Sequence, residues 1–288
     1  MNFNHLQAFY YVAECKSFTV AAEKLHVSQP TLSLHVQSLE KQYGIVLINR
    51  NKKTFTLTED GKIIFAYAQE IFSRASALNN TIEDLTTGNV KIGSTPTLAH
   101  YVLPGVIRVL KEWHPSLKVE LYTGISREIL EKLVNFDYHV ALIGHVEYPS
   151  NIIYKTIAQP KLYFISAEPM KEIIRLSDLS NYPIILPEQG SATRDYIIGE
   201  FSKRHIPLNN CIDCENAQAI RNMVQLGMGG AFFPLYSIAD DVREGRYRKS
   251  ELEEDLHLTI DIAYVRERKN MKTVKNFTAA VRDHAFKA

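Results

Sequence analysis

Three stretches of this 288-residue chain carry side chains whose types and spacing can do chemistry. The first is 28–37. Here Ser28, Gln29, Pro30, Thr31, Ser33, Leu34, His35 and Gln37 leave one side short, hydrogen-bonding and almost uncharged. Such a surface offers donors and acceptors to base edges in a major groove. The second is the basic run Arg50, Asn51, Lys52 and Lys53, suited to phosphate oxygens. A solvated turn has the same composition, and only the position of this run directly after the first stretch favours phosphate contact. The third is a pair of hydroxyl-rich helix starts. Ser94, Thr95, Pro96 and Thr97 follow an apolar segment, while Gly190, Ser191, Ala192, Thr193 and Arg194 open a later helix with a cation beside it. Free backbone N–H groups, hydroxyls and positive helix ends suit a small carboxylate, phosphate or sulfate ester. Simple capping is the alternative at each. Thr123, Gly144 and His145 end further strand-like segments and are secondary candidates.

Positioning these groups takes several elements. Residues 3–15 form an amphipathic helix with Leu6, Phe9 and Val12 inward. Ser17 caps the next helix, in which the small pair Ala21 and Ala22 allows a close crossing. His26 and Val27 turn the chain, Ser28 caps the helix that follows, and Pro30 sits in its first turn, where a missing N–H removes no helical bond. Leu32, Val36 and Leu39 make its buried stripe, and Gly44 is a candidate C-cap. Two short extended pieces around 47–49 and 54–58 then flank the basic run as a hairpin, or wing. From 59 to 87 the sequence reads as one helix. Ile64, Ala68, Ile71, Ala75, Leu78, Ile82 and Leu85 repeat at alternating spacings of four and three. That seam packs either on the chain's own domains or on a second copy; two half-sites in an inverted repeat favour the second.

Residues 90–288 alternate strand-like and helical segments. The strands fall at 90–93, 117–122, 140–143, 162–165, 183–186, 231–233 and 256–265; the helices fall at 98–113, 127–135, 194–205, 217–227 and 273–286. This pattern predicts α/β architecture with mostly parallel, doubly wound sheets and ligands at the strands' carboxyl ends.

Other signals carry less. Gly227, Met228, Gly229 and Gly230 precede a strand instead of following one, so a dinucleotide loop does not fit. Cys211 and Cys214 share one strand, where residues three apart point to opposite faces, and no second ligand pair completes a metal site. No Ser/His/Asp constellation with motif spacing occurs, so no enzyme, cofactor or metal is expected. The formal net charge of +1 excludes a protein that is basic throughout. Residues 1–58 hold Lys16, Lys24, Lys41, Arg50, Lys52 and Lys53 against Glu14, Glu23 and Glu40, a local +3. Three cysteines, no apolar run long enough to span a membrane and an N-terminus that enters an amphipathic helix directly predict a cytoplasmic protein.

The N-terminal residues closely resemble the LysR-type transcriptional regulators. The match runs through His5-Leu6-Gln7-Ala8-Phe9, Ser17-Phe18-Thr19 with Ala21-Ala22, Val27-Ser28-Gln29-Pro30 with Leu32-Ser33, and Leu39-Glu40. It continues with Gly44, Leu47, Arg50 and Leu57-Thr58-Glu59-Asp60-Gly61, all at the family's spacing without a gap. The resemblance implies a winged helix-turn-helix of all-α type over 1–58 and a linker helix over 59–87 that pairs between subunits. It also implies an α/β effector domain shaped like a periplasmic binding protein, made of two doubly wound subdomains. These occupy 88–161 with 266–288, and 162–265, and the chain crosses between them near 159–163 and 265–268. The cleft between them takes a small molecule, and the helix starts at Ser94 and Gly190 lie at the family's effector positions. The implied partners are an inverted-repeat double-stranded DNA operator, a second or further copies of the chain (dimer or tetramer), a small anionic effector and, for an activator, RNA polymerase. Membranes are not among them.

This chain departs from the family at Leu34 and His35, where an arginine and then a glutamine or similar residue are common. Leucine offers only apolar contact, best to a thymine methyl, so A·T pairs are expected where relatives read G·C. An inward-packed Leu34 is the alternative. The combined reading is a sequence-specific regulator switched by an effector. A solute-binding or enzymatic α/β protein with a helical appendage is the competing class.

Overall fold

The structure is a computed structural model that describes residues 1–49 and 55–286. It divides into two compact units, Met1–Asn79 and Asn80–Ala288.

The first unit begins with α1 (Phe3–Cys15), α2 (Phe18–Lys24) and α3 (Gln29–Tyr43). Each start is capped as its sequence requires: Asn2, Ser17 and Ser28 accept from Asn4 N, Val20 N and Thr31 N. Gly44, at φ 68°, ends α3 in the left-handed conformation. Leu6, Phe9, Val12, Ala21, Ala22, Leu32, Val36 and Leu39 form one buried core with Leu47, Ile48 and Ala68. The wing arms pair through an Ile48–Leu57 antiparallel bridge. The Glu40 carboxylate accepts from Leu47 N at 2.9 Å and Ile48 N at 3.3 Å, tying the wing to α3. The next helix, α4 (Glu59–Thr87), starts close against the same strand. A Cβ on Gly61 would stand 2.1 Å from the Leu47 carbonyl oxygen, so only glycine fits there.

The single stripe expected to seek a partner along α4 divides. Ile64, Ala68 and Ile71 pack, with Phe65 and Phe72, into the first unit's own core, and Ala68 is fully buried. Tyr10 of α1 stacks on Phe65 and meets Phe72 at a centroid distance of 5.1 Å. The seam reading is corrected there: the aromatic rings of α1 and α4 give these three residues an intramolecular partner. Ala75, Leu78 and Ile82 are exposed, and the side chain of Leu85 lies outside the described residues. A different apolar pair, Ile63 and Tyr67, is also exposed on α4.

The second unit contains β1 (Asn89–Ser94), α5 (Pro96–Tyr101), α6 (Leu103–Trp113), β2 (Lys118–Thr123), α7 (Ser126–Val134), β3 (Val140–Gly144) and β4 (Ile152–Ala158). Then come β5 (Leu162–Ser166), β6 (Ile173–Ile174), β7 (Ile184–Pro187), α8 (Ala192–Lys203), β8 (Cys211–Cys214) and α9 (Ala217–Gln225). It ends with β9 (Ala231–Pro234), α10 (Ala239–Arg243), β10 (Arg248–Leu252), β11 (Ile260–Val265) and α11 (Lys272–His284). The helix expected over 98–113 is broken at Val102, because Pro104 supplies no N–H to continue it.

One sheet has the order β2-β1-β3-β11-β4; the other has β6-β10-β5-β9, with β7-β8 joined to β9 by a parallel bridge between Ile184 and Gly230. Both sheets are mixed. β1 runs parallel to β2 and β3, whereas β11 is antiparallel to β3 and β4, and β5 is antiparallel to β9 and β10. The mostly parallel expectation is corrected by these returning strands. β11 also lies in the first sheet, not at the close of the second subdomain, so the second crossing precedes it, between 252 and 260. The first crossing lies between Ala158 of β4 and Leu162 of β5. The first sheet buries Val90, Ile92, Leu142 and Ile262 against Leu103, Val106 and Leu110 of α6 and Phe277 of α11. The second is buried on two faces, one around Phe164, Phe201 and Phe232, the other around Ile185, Ile220 and Phe233. Among the described residues, no helix is long and apolar enough to cross a membrane.

Candidate DNA-reading face and effector cavity

The candidate reading face is the outer side of α3. Ser28 Oγ accepts from Thr31 N at 3.3 Å and shares a 2.7 Å hydrogen bond with Thr31 Oγ1, so the helix start is held rigidly. Gln29 Oε1 accepts weakly from the Thr19 hydroxyl at 3.4 Å, bridging to α2. Gln29, Pro30 and Thr31 are exposed and Ser33 is half-buried. Leu34 is 60% exposed, which rules out the inward-packed alternative and puts an apolar surface among the hydroxyls. His35 is half-buried with its ring 5.1 Å from that of His5, so it also braces α3 on α1. Arg50, Lys52 and Lys53 lie outside the described residues.

Between the two sheets of the second unit is a cavity of about 90 Å³. Four helices begin at it, α5, α7, α8 and, at Ala217, α9. Thr95 and Thr97 come from the start of α5, Ser126 from α7, and Ser191 and Thr193 from α8. The N-caps of α5, α7 and α8, Thr95, Ile125 and Ser191, make no side-chain cap bond. Ser17 and Ser28 in the first unit do, and so does Asn216 at the start of α9. The capping alternative therefore does not describe Thr95 or Ser191. The first N–H groups of an uncapped helix start lack intrahelical acceptors, and those of α7 and α8 are available to a ligand. Gly144, at the end of β3, lets α8 approach: a Cβ there would sit 2.7 Å from that of Ala192. Ile220, Phe232, Phe233 and Leu258 supply apolar wall. Tyr236 lines it too, and burial pushes its hydroxyl well above the usual phenol range.

Ser126 was missing from the sequence-based candidates. It is fully buried, and its hydroxyl is without a hydrogen-bond partner among the described residues. Its signal was present: Gly124, Ile125 and Ser126 leave β2 for a helix as Ser94 to Thr97 leave β1.

Several expected residues serve the frame instead. Ser94 is fully buried and its hydroxyl donates to the Leu142 carbonyl at 2.7 Å, locking β1 to β3. Thr123 is exposed at an outer mouth next to Glu128 and Glu215. His145 does not line the cavity; its ring is 2.6 Å from Asp261, a fully buried carboxylate that also accepts from Tyr148 and Thr156. Arg194 donates to Asp213 at 2.5 Å and to the Pro187 carbonyl at 2.7 Å, and it is absent from the cavity lining.

The charges that do line the cavity are Glu188 and Glu215. Burial, and then the like charges of Glu215 and Glu128, hold the Glu188 carboxyl above the usual carboxylate range. Cys211 and Cys214 are free thiols on β8, and burial pushes the Cys211 thiol up, away from the reactive thiolate. Among the described residues no cluster of three or more His, Cys, Asp or Glu side chains is placed to hold a metal.

Known proteins share both parts of this arrangement. Residues 3–62 match the model of bacterial regulatory helix-turn-helix proteins of the lysR family, and residues 83–286 match that of the LysR substrate binding domain. The HTH-type transcriptional regulator CysL of Bacillus subtilis (strain 168) is 30% identical over 239 residues, covering 80% of this chain and 79% of its own. CbnR, a LysR family transcriptional regulator of known crystal structure, superposes with a TM-score of 0.66 at 24% identity over 99% of both chains. Full-length CbnR complexed with its target DNA gives 0.66 at 23% identity, over 98% of this chain and 99% of that one.

Proposed function

Because the chain belongs to the LysR family of DNA-binding transcriptional regulators, we propose that it switches target genes in response to a small effector held between its two regulatory subdomains. The observation that carries this is the convergence of uncapped helix starts and the unpartnered Ser126 hydroxyl on one cavity, at a doubly crossed hinge. Hydroxyls and N–H groups of that kind suit an anionic group on the effector. Effector binding shifts the population of hinge states in proportion to its preference for one of them. Gln29, Thr31, Ser33 and Leu34 read base edges, and Arg50, Lys52 and Lys53 contact phosphates. Copies of the chain associate through the exposed α4 face at Ile63, Tyr67 and Leu78, so two reading helices meet an inverted repeat in cytoplasmic DNA. An activator of this design also contacts RNA polymerase.

The test is recovery of genomic fragments by the purified full-length protein at a stated salt concentration. Discrete sites sharing an inverted repeat are expected. Uniform binding with no common motif would overturn the sequence-reading role of α3.

A further inference from the structure

We propose that the effector is a small zwitterion of the amino acid class. Its carboxylate is held at Ser126 and the starts of α7 and α8, and its ammonium is held by Glu188 and Glu215. This rests on the cavity being the effector site and adds a second pole to it.

The anionic pole alone does not account for the lining. Ser126 is fully buried with an unpartnered hydroxyl, and α7 and α8 both begin at the cavity without side-chain caps. Those are donors awaiting an acceptor. Yet no cation lines the cavity among the described residues: the arginine expected there, Arg194, is committed to Asp213 and the Pro187 carbonyl, and Arg127 of α7 pairs outside it with Asp195. The lining instead carries two acids, Glu188 and Glu215, and neither is in an ion pair among the described residues. A third, Glu128, stands at the mouth, its Oε2 3.1 Å from where a Cβ on Gly124 would lie.

A simple anion would thus enter against uncompensated negative charge, at an energetic cost that grows as water is excluded. An ammonium removes that cost and gives Glu188 the partner it lacks. A divalent metal is a poorer match, because among the described residues no three ligating side chains converge. The two poles share one cavity, lined by Ser126, Glu188, Ser191 and Glu215. Glu188 opens the turn that ends at the α8 cap, Ser191, its carbonyl accepting from Ser191 N at 3.2 Å. A shared cavity of about 90 Å³ suits an amino and a carboxylate group on one carbon, with a short side chain against Ile220 and Phe233.

The experiment is thermal unfolding of the full-length protein with each of the twenty L-amino acids. Each is set against its N-acetyl derivative and the matching 2-hydroxy acid, for wild type, Glu188→Gln and Ser126→Ala. Stabilisation by a subset of the free amino acids is expected, lost on acetylation and weakened about tenfold by either substitution. Equal stabilisation by the N-acetyl or hydroxy acids, still sensitive to Ser126→Ala, overturns the ammonium pole and leaves the cavity reading standing. Stabilisation indifferent to both substitutions overturns the cavity reading as well. No response to any free amino acid overturns the proposal. Unliganded melting of each variant reports whether it folds.

Discussion

The Arg221 guanidinium of α9 donates to the Tyr101 hydroxyl at the end of α5 at 2.5 Å, joining the two regulatory subdomains beside the cavity. Arg221 is buried, lies 5.0 Å from the Tyr101 ring centroid and 4.9 Å from that of Phe233, and also donates to Asp241 at 3.2 Å. Any relative movement of the subdomains must carry or break this link. Tyr101→Phe removes one hydrogen bond and should cost about 1 kcal/mol. Hydrogen exchange near the crossings at 158–162 and 252–260 should then quicken while the fold is retained. Arg221→Met removes both the Tyr101 bond and one of two cations on Asp241, which keeps Arg246 at 2.7 Å, and should cost about 1–2 kcal/mol in urea unfolding. Equal stability and exchange in both variants would show that the link does not hold the subdomains.

His145 is expected to act on stability and not on the effector. It supports Asp261, which is fully buried on β11 and has three side-chain partners, His145 at 2.6 Å, Thr156 at 2.7 Å and Tyr148 at 3.1 Å. His145→Ala should lower unfolding free energy by about 1–2 kcal/mol, because one partner of a buried charge is lost. Effector affinity, measured by titration, should stay within a factor of two or so of wild type. A large loss of affinity at unchanged stability would return His145 to the effector site.

Glu188 gives the protein a pH dependence with a definite sign. Its folded carboxyl is held above its ordinary value of 4.5, so in that window the native state binds more protons than the unfolded chain. Stability therefore falls as pH rises from 4.5 through the raised value and stays lower above it. Glu188→Gln should remove this slope and leave the unliganded protein more stable than wild type at neutral pH. Melting curves from pH 4 to pH 8 (about half a unit apart) are the measurement. An identical slope in the variant would assign it to other groups.

What the sequence disclosed depended on whether local chemistry sufficed. Ser17, Ser28, Pro30 and Gly44 each satisfy or end a helix by their own side chain or backbone freedom, and each stands where expected. Periodicity showed that Ile64, Ala68 and Ile71 are buried together, but a stripe does not name its partner, and the rings of Tyr10, Phe65 and Phe72 claimed it. The run from Leu256 to Val265 alternates apolar residues with His257, Thr259 and Asp261, a strand-like pattern that continues through the crossing, so nothing in it marks where β11 begins. Ile152–Ala158 mixes polar and apolar residues because its middle is exposed, and β4 escaped notice. Arg194 looked like a free cation because Asp213 reaches it only through the pairing of β7 with β8.

The two faces of α4 should separate self-association from folding. Ile63, Tyr67 and Leu78 are 57%, 63% and 60% exposed, whereas Ala68 is fully buried. Tyr67→Glu with Leu78→Glu should convert an associated species to monomer in sedimentation velocity while leaving the helical circular dichroism intact. Ala68→Glu buries an unpaired carboxylate and should cost about 3 kcal/mol or more, unfolding the first unit. An unchanged sedimentation coefficient in the double variant would place the contact elsewhere.

Leu34 sets the last expectation. Its side chain is 60% exposed on the outer side of α3, flanked in sequence by Ser33 and the half-buried His35. Leucine makes no hydrogen bond to a base edge, and its methyl groups are best matched by a thymine methyl in the major groove. Selection of bound sequences from a random pool should therefore give A·T at the pair facing Leu34. Leu34→Arg restores a guanidinium able to engage guanine O6 and N7, and it should shift that position towards G·C by about 1–3 kcal/mol of discrimination. The added cation also raises affinity for every sequence and steepens the salt dependence. The informative quantity is therefore the ratio between the two sites at one salt concentration. An invariant guanine opposite the wild-type leucine, or an unchanged ratio in the variant, would mean that this position of α3 does not read the base.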